Sequence, residues 1–363
     1  MNLKIKTVVL QEMLSKAIKG AGNNKLIPIT GLLGIKQNVA QDTLTLITTD
    51  MSNYLYVSQS NKNDEEFDVT VPVDTFSKLI SKMTCETVSL KVVDYYLEVV
   101  GNGTYKIELP LNENGELIKY PNPVGKLADS TPISTGKIES YIFSAMSNSV
   151  KPSLATTPEI PCYMNYYVGD KIIGTDTYNI AGLTESVFET PVLLSVNTVE
   201  LLTLTTAKDV EYSVYQNGVI CFVASDIVVY SSPVEGLNDF AIKEITNLLN
   251  LSTDSYCEIS KDAFLQLLDR LVLFVSPYDK NGIDLSFTKD GIVVTSKNVS
   301  GMEMIPYISV NDYTEYNCSV DIQMLQSQIK AIPTSTVNLY YGHPNALKLK
   351  MNNLIQIIGL LED

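Results

Sequence analysis

Apolar side chains recur at every third or fourth position in six short stretches, and a residue able to cap a helix stands at the entry of each. Thr7 precedes Leu10, Met13, Leu14, Ala17 and Ile18; Asp74 precedes Phe76, Leu79, Ile80 and Met83; Thr135 precedes Ile138, Tyr141, Ile142, Ala145 and Met146. Asn197 precedes Val199 and Leu202, Ser260 precedes Phe264, Leu267, Leu268, Leu271 and Val272, and Asp321 precedes Ile322, Leu325, Ile329 and Ile332. This spacing puts the apolar groups on one face of a helix. Ser, Thr, Asp and Asn suit the entry because their side-chain oxygens accept the free N–H groups of the first turn. Successive caps are 67, 61, 62, 63 and 61 residues apart, so the six helices predict six copies of one unit.

Between the helices the pattern changes to strands. TLTLITTD (43–50), VSLKVVDYYLEVV (88–100), VEYSVY (210–215), VICFVA (219–224) and IDLSFTKDGIVVT (283–295) are rich in β-branched and aromatic residues. Asn102–Gly103, Asn217–Gly218 and Asp290–Gly291 stand where hairpins turn. The unit is therefore a strand, a short helix and several antiparallel strands. The units also pair. Even-numbered units share a Val-[Asp/Asn] helix entry at 73–74, 196–197 and 320–321; odd-numbered units carry TTDMSNYLYV (48–57) and GTDTYNIAGL (174–183), with VTSKNVSGMEM (294–304) as a third counterpart lacking the Asp. The predicted fold class is α+β in three tandem similar domains, 1–128, 129–250 and 251–363, with boundaries in the Tyr120–Asp129 and Asn247–Asp254 stretches.

A content of 45% hydrophobic and 18% charged residues supports packed cores and excludes a disordered chain. The N-terminal MNLKIKTVVLQEML has no continuous apolar segment of a secretion signal, no apolar run is long enough to span a bilayer, and five scattered cysteines form no CxxC pair. The expectation is a cytoplasmic protein with reduced thiols. A net charge of −15 argues against a surface that is basic overall. The charge is uneven: Lys+Arg against Asp+Glu count 13 and 14 in residues 1–128, 5 and 14 in 129–250, and 8 and 13 in 251–363. Where the positive charges lie therefore matters more than their sum.

No catalytic constellation, phosphate loop or metal-spaced cluster is present, so neither an enzyme nor a cofactor is expected. The single histidine, His343, sits in an HPN turn, and the repeat-equivalent Asp50 and Asp176 read as turn residues. Lys16, Lys19, Lys78 and Lys82 lie opposite the apolar faces of the first two helices. Lys25 and Lys151 follow the first and third helices, and Lys208, Arg270 and Lys330 lie late on the last three. Spacing alone reads these nine positions as solvated helix faces; the resemblance given next implies that they line a hole and meet DNA phosphates without reading bases. Three tandem α+β domains are also compatible with a scaffold or adhesion array.

Taken together with the length of three domains, IPITGLLGI (27–35), TDMSNYL (49–55), VPVDTFSKLISKM (71–83), KYPNP (119–123) and TDTYNIA (175–181), in that order, resemble the β sliding clamp of bacterial replicative DNA polymerase over essentially the whole chain. The resemblance implies a head-to-tail homodimer: six domains closed into a ring with helices lining the hole, around double-stranded DNA. It implies an ATP-driven loader, and a polymerase held through a short apolar peptide at Met164, Thr175, Tyr178, Ile180, Ile358 and Leu360. With three domains per chain, the subunit contact is expected at Tyr105 and Ile107 of one copy and Leu271 and Leu273 of the other. The chain departs from the family pattern at Asn179, where an Arg is usual, in its IIGLLED ending, and in LNDF (237–240), which lacks a proline. These departures fit a divergent clamp with an altered partner motif, of phage or mobile-element type. The alternative reading is a clamp-like decoy or scaffold that binds partners or loader without loading on DNA.

Overall fold

Six times in succession the chain forms one strand, one helix and three antiparallel strands, and the computed structural model describes residues 1–22, 24, 26–123, 130–253, 255–297 and 300–362 of it. The first repeat is β1 (Asn2–Lys6), α1 (Thr7–Ala17), β2 (Leu32–Asn38), β3 (Thr43–Thr49) and β4 (Asn53–Ser60); the second is β5 (Phe67–Pro72), α2 (Val73–Ser81), β6 (Thr87–Val93), β7 (Tyr96–Val100) and β8 (Thr104–Glu108). The third is β9 (Ser134–Glu139), α3 (Tyr141–Ala145), β10 (Tyr166–Val168), β11 (Ile172–Thr175) and β12 (Asn179–Leu183). The fourth is β13 (Val192–Leu194), α4 (Val196–Leu202), β14 (Asp209–Val214), β15 (Ile220–Val223) and β16 (Ile227–Ser231). After an additional helix α5 (Ile242–Leu249), the fifth is β17 (Tyr256–Ser260), α6 (Lys261–Leu271), β18 (Gly282–Phe287), β19 (Gly291–Ser296) and β20 (Met302–Pro306). An additional short strand β21 (Ser309–Asn311) precedes the sixth: β22 (Tyr316–Asp321), α7 (Ile322–Lys330), β23 (Thr336–Tyr340), β24 (Ala346–Met351) and β25 (Leu354–Gly359).

Two of the expected caps form, where the side chain reaches the first turn. Ser260 accepts from the Ala263 N–H at 3.3 Å, and Asp321 accepts from Gln323 and Met324 at 2.7 and 3.1 Å. Elsewhere it needs correction. Thr7 and Asp74 lie inside their helices, behind Lys6 and Pro72, which make no side-chain cap. Thr135 and Ile138 belong to β9, and the third helix starts at Tyr141 and continues as a π-helical turn, Met146–Val150. Ile138 is buried from a strand, where alternation and helical spacing coincide over a few residues. Helix α5 was not expected, although Ile242, Ile245 and Leu249 carry a helical stripe; the expected boundary at residue 250 falls at its C-cap, Asn250. The expected boundary at 128/129 lies outside the described residues.

Strand pairing interlocks the repeats two by two. The first strand of each repeat pairs with the second strand of its neighbour: β1 with β6 and β5 with β2, β9 with β14 and β13 with β10, β17 with β23 and β22 with β18. Last strands join differently. β4 pairs with β16, making one eight-stranded sheet, and β12 pairs with β25 in a nine-stranded sheet. The chain divides into two compact bodies, Met1–Phe143 with Asn197–Pro233 and Ser144–Val196 with Val234–Asp363. In each, helices cover one face of the strands, which bury alternate residues against them: Leu55 and Val57 of β4 with α1 in the first body, Ile305 of β20 and Ile259 of β17 with α6 in the second.

Candidate DNA, partner and edge surfaces

The first-body lysines divide into those already engaged and those left to solvent. Lys16 is engaged: its Nζ lies 2.7 Å from Asp226 Oδ2, in the hairpin between β15 and β16. Asp226 also accepts from the Thr205 hydroxyl at 2.5 Å and from the Thr206 N–H at 3.1 Å. Burial alone pushes this carboxyl up, but the hydrogen bonds from Lys16, Thr205 and Thr206 outweigh it and hold it below its ordinary value. Lys16 is therefore a tie between α1 and the β15–β16 hairpin. Asp226→Ala should destabilise the protein by about 2–3 kcal/mol, because it takes the acceptor from a half-buried ammonium, the Thr205 hydroxyl and the Thr206 N–H. A group with a depressed folded value contributes above its unfolded value and loses that contribution as pH falls through the folded one. The gap between wild type and variant in denaturant midpoints should thus be full at neutral pH and close at acid pH, below the ordinary aspartate value of 3.8. A gap independent of pH would remove Asp226 from this role.

Lys19 and Lys78 line one open groove of about 700 Å³ between the end of α1 and α2, with Ile18, Pro72 and Ser77. Lys78 also makes an exposed i,i+4 pair with Asp74 at 3.4 Å. Lys82, at the end of α2, and Lys208, between α4 and β14, are exposed. In the second body Lys151 and Lys330 are exposed near the ends of their helices. Arg270 is held by Glu303 of β20 in a two-bond pair at 2.8 and 2.5 Å. Lys25 lies outside the described residues.

Of the six expected partner-pocket residues, Thr175, Tyr178, Ile180 and Ile358 meet at the β11–β12 hairpin and its pairing with β25, and three of these four are inside the core. Thr175 is buried and donates to the Asn179 carbonyl at 2.8 Å, while Asp176 accepts from the Tyr178 and Asn179 N–H groups at 2.9 and 2.6 Å. The equivalent Thr49 and Asp50 make the same bonds to Asn53, which gives both aspartates the expected turn role. Ile180 and Ile358 are buried, and Ile358 lies opposite Asn179 across the β12–β25 pair. Phe240, in the LNDF segment, stacks on Tyr167 and meets Tyr163 edge-on, both at 5.2 Å, filling the space beside Ile180. What remains open is a shallow groove in which Tyr178, 67% exposed, faces Leu154, Ile160 and Tyr163. Met164 ends the turn that holds Tyr163, and Leu360 lines a separate pocket with Leu361, Tyr316 and Ser319. Leu154, Ile160 and Tyr163 were missed. Their signal was the Ile–Pro pair at 160–161, which repeats Ile27–Pro28 and opens the same short 3-10 turn.

Among the described residues two last strands find no last-strand partner, β8 and β20, each ending a four-stranded sheet. Beside β20 stand exposed Leu273, Phe274, Met302 and Met304; on and beside β8 stand exposed Tyr95, Tyr96, Val100 and Tyr105. Ile107 and Leu271 are buried within their own sheets and helices. Long unpaired edges flanked by apolar side chains are normally covered.

Residues 1–121 match the family model described as DNA polymerase III beta subunit, N-terminal domain. No curated protein sequence matches the chain. The whole chain superposes on solved structures: the beta subunit from DNA polymerase of Streptococcus pyogenes (TM-score 0.85, 15% identity, 100% of each chain covered), the DNA polymerase sliding clamp of Bacillus subtilis (0.83, 16%, 100% of this chain and 99% of that one), and DNA polymerase III, beta subunit, of Thermotoga maritima (0.80, 13%, 100% and 99%). At such identities the likeness establishes the fold, that of a sliding clamp.

Proposed function

We propose that this chain, which carries the sliding-clamp fold along its whole length, is a DNA clamp whose copies join head to tail into a ring around duplex DNA. The observation that carries the reading is the pairing of last strands. Repeat 1 joins repeat 4 through β4 and β16, and repeat 3 joins repeat 6 through β12 and β25. The next step of the same rule joins repeat 5 to repeat 2 of a second copy, through β20 and β8. That heterologous contact removes both open edges, and a ring forms if the rotation closes. The two-by-two interlock of repeats supports three domains per chain, 1–128, 129–250 and 251–363, so six domains make the ring a homodimer, as the family resemblance implies.

In this reading the protein is a non-enzymatic processivity factor. Lys19, Lys78, Lys82, Lys208, Lys151 and Lys330 form a sparse, sequence-blind lining toward phosphates. The groove at Tyr178, Tyr163, Leu154 and Ile160 takes a short apolar peptide from a polymerase or loader. The test is retention on nicked circular DNA after loading. The clamp should remain on the circle and be lost when the circle is cut, because threading and not attraction holds it. Equal retention on both forms would remove the encircling reading, and a dimer that never loads would favour the decoy.

A further inference from the structure

The two joints inside the chain specify what the open edges should meet. On the helix-facing side, Leu55 lies opposite Val229 in the β4–β16 joint and Ala181 opposite Gln356 in the β12–β25 joint, and all four are fully buried. The same positions can be counted onto the open edges from the hairpins. Tyr54, Ile180 and Met302 pair with Thr49, Thr175 and Thr295, so Glu303 follows as the counterpart of Leu55 and Ala181. Thr104, Val228 and Ile355 pair with Val100, Val223 and Lys350, so Tyr105 is the counterpart of Val229 and Gln356. The faces agree: Glu303 alternates with buried Ile305 and Tyr105 with buried Ile107.

Helices α1 and α6 each have 11 residues, and Lys16 and Arg270 occupy the same place, one before the end. Lys16 reaches Asp226 in the hairpin of the joined repeat. The matching hairpin of a second copy offers Asn102, whose Oδ1 already accepts the Thr84 and Cys85 N–H groups at 2.8 and 3.2 Å. It holds no carboxylate, and Arg270 lies on Glu303 of its own chain instead. We infer that the Arg270–Glu303 pair is the seat for Tyr105 of a second copy, with the phenol ring against the guanidinium, and that Arg270 acts at the subunit joint and not on DNA. The subunit joint then lacks the ion pair that ties α1 across the β4–β16 joint. This inference rests on the head-to-tail dimer proposed above.

The experiment is a double-mutant cycle on the dimer dissociation constant of the full chain, read by sedimentation and by dilution of a fluorescent pair. Arg270→Ala and Tyr105→Leu should each weaken the dimer about tenfold, and together about twentyfold and not a hundredfold. That fivefold coupling corresponds to about 1 kcal/mol, in the range of a cation–π contact. Asn102→Asp should tighten the dimer about threefold with Arg270 present and leave it unchanged in the Arg270→Ala background. Unaltered thermal unfolding of Arg270→Ala, which removes an exposed side chain, keeps the cycle interpretable, and Lys330→Ala should leave the dimer as it was. Additive effects of the two substitutions, or an Arg270→Ala dimer within twofold of wild type, would overturn the inference while the dimer stands. A chain that stays monomeric at micromolar concentration would overturn the ring reading itself.

Discussion

Ending the chain after Gly359 should leave the protein folded, whereas ending it after Ile357 should cost about 3–5 kcal/mol, the range for emptying a core position. Ile358 is fully buried and lies between Asn179 of β12 and Leu347 of β24. The Gly359 N–H donates to the Tyr178 carbonyl at 2.8 Å. Removing both residues opens a cavity at the joint of repeats 3 and 6 and frees the turn that presents Tyr178. Beyond Gly359 the ties are lighter. Leu360 donates to the Asn345 carbonyl and Leu361 to the Ser319 carbonyl, at 3.1 and 2.8 Å, from half-buried positions. Their loss should cost about 1–2 kcal/mol, two ordinary hydrogen bonds with little core. Urea midpoints of the two truncated chains measure the difference. The longer one should keep its dimer, and its stimulation of polymerase then reports whether Leu360 and Leu361 contribute to partner binding. Equal midpoints would mean that Ile358 is not part of the core.

That split within one short segment shows what the sequence could reveal about the partner site. Met164, Thr175, Tyr178, Ile180, Ile358 and Leu360 follow from the resemblance, and the fold brings Thr175, Tyr178, Ile180 and Ile358 to one hairpin while Leu360 lines a separate pocket. Which of them face solvent depends on Phe240 and α5, which fill the space beside Ile180. LNDF looks like a departure in a surface turn because its burial comes from Tyr163 and Tyr167, distant in sequence. The six repeats were legible because each helix has an apolar stripe and each hairpin a turn residue, both local signals. The exact start of α3 was not, since Thr135 and Ile138 fit a strand and a helix equally well over so few residues. Pairing of first strands between neighbouring repeats leaves no local trace at all, nor does the joining of last strands.

Electrostatics followed the same division. Helical spacing placed Lys16 and Arg270 on non-core faces, but it could not show their acids. Asp226 is 210 residues from Lys16, and Glu303 is 33 from Arg270. With Lys78 beside Asp74, three of the nine expected phosphate contacts have an acidic partner within the chain, and the basic lining is thinner than the helical pattern suggested. A thin lining suits a ring that must slide, because each strong phosphate contact would act as a brake.

Reversing Lys19, Lys78, Lys82 and Lys208 to Glu should reduce loading on nicked circular DNA by at least about tenfold and flatten its salt dependence, since each phosphate contact contributes roughly 0.9 to the slope of log K against log salt. The four are exposed, and Lys19 and Lys78 share one groove. Folding should change little: the largest local effect is a new Glu four residues from Asp74, worth a few tenths of a kcal/mol. Dimerisation should persist, because none of the four lies on β8, β20 or the end of α6. The control is Lys36→Glu with Lys91→Glu, which reverses two exposed lysines on strands β2 and β6 and should load as wild type. Loading yield at several salt concentrations, with free dimer measured in parallel, separates the possibilities. If the quadruple variant loads as well as the control at every salt concentration, these helix faces do not meet DNA. If the control is impaired equally, only net charge matters, and the placement of lysines on the helices carries no function.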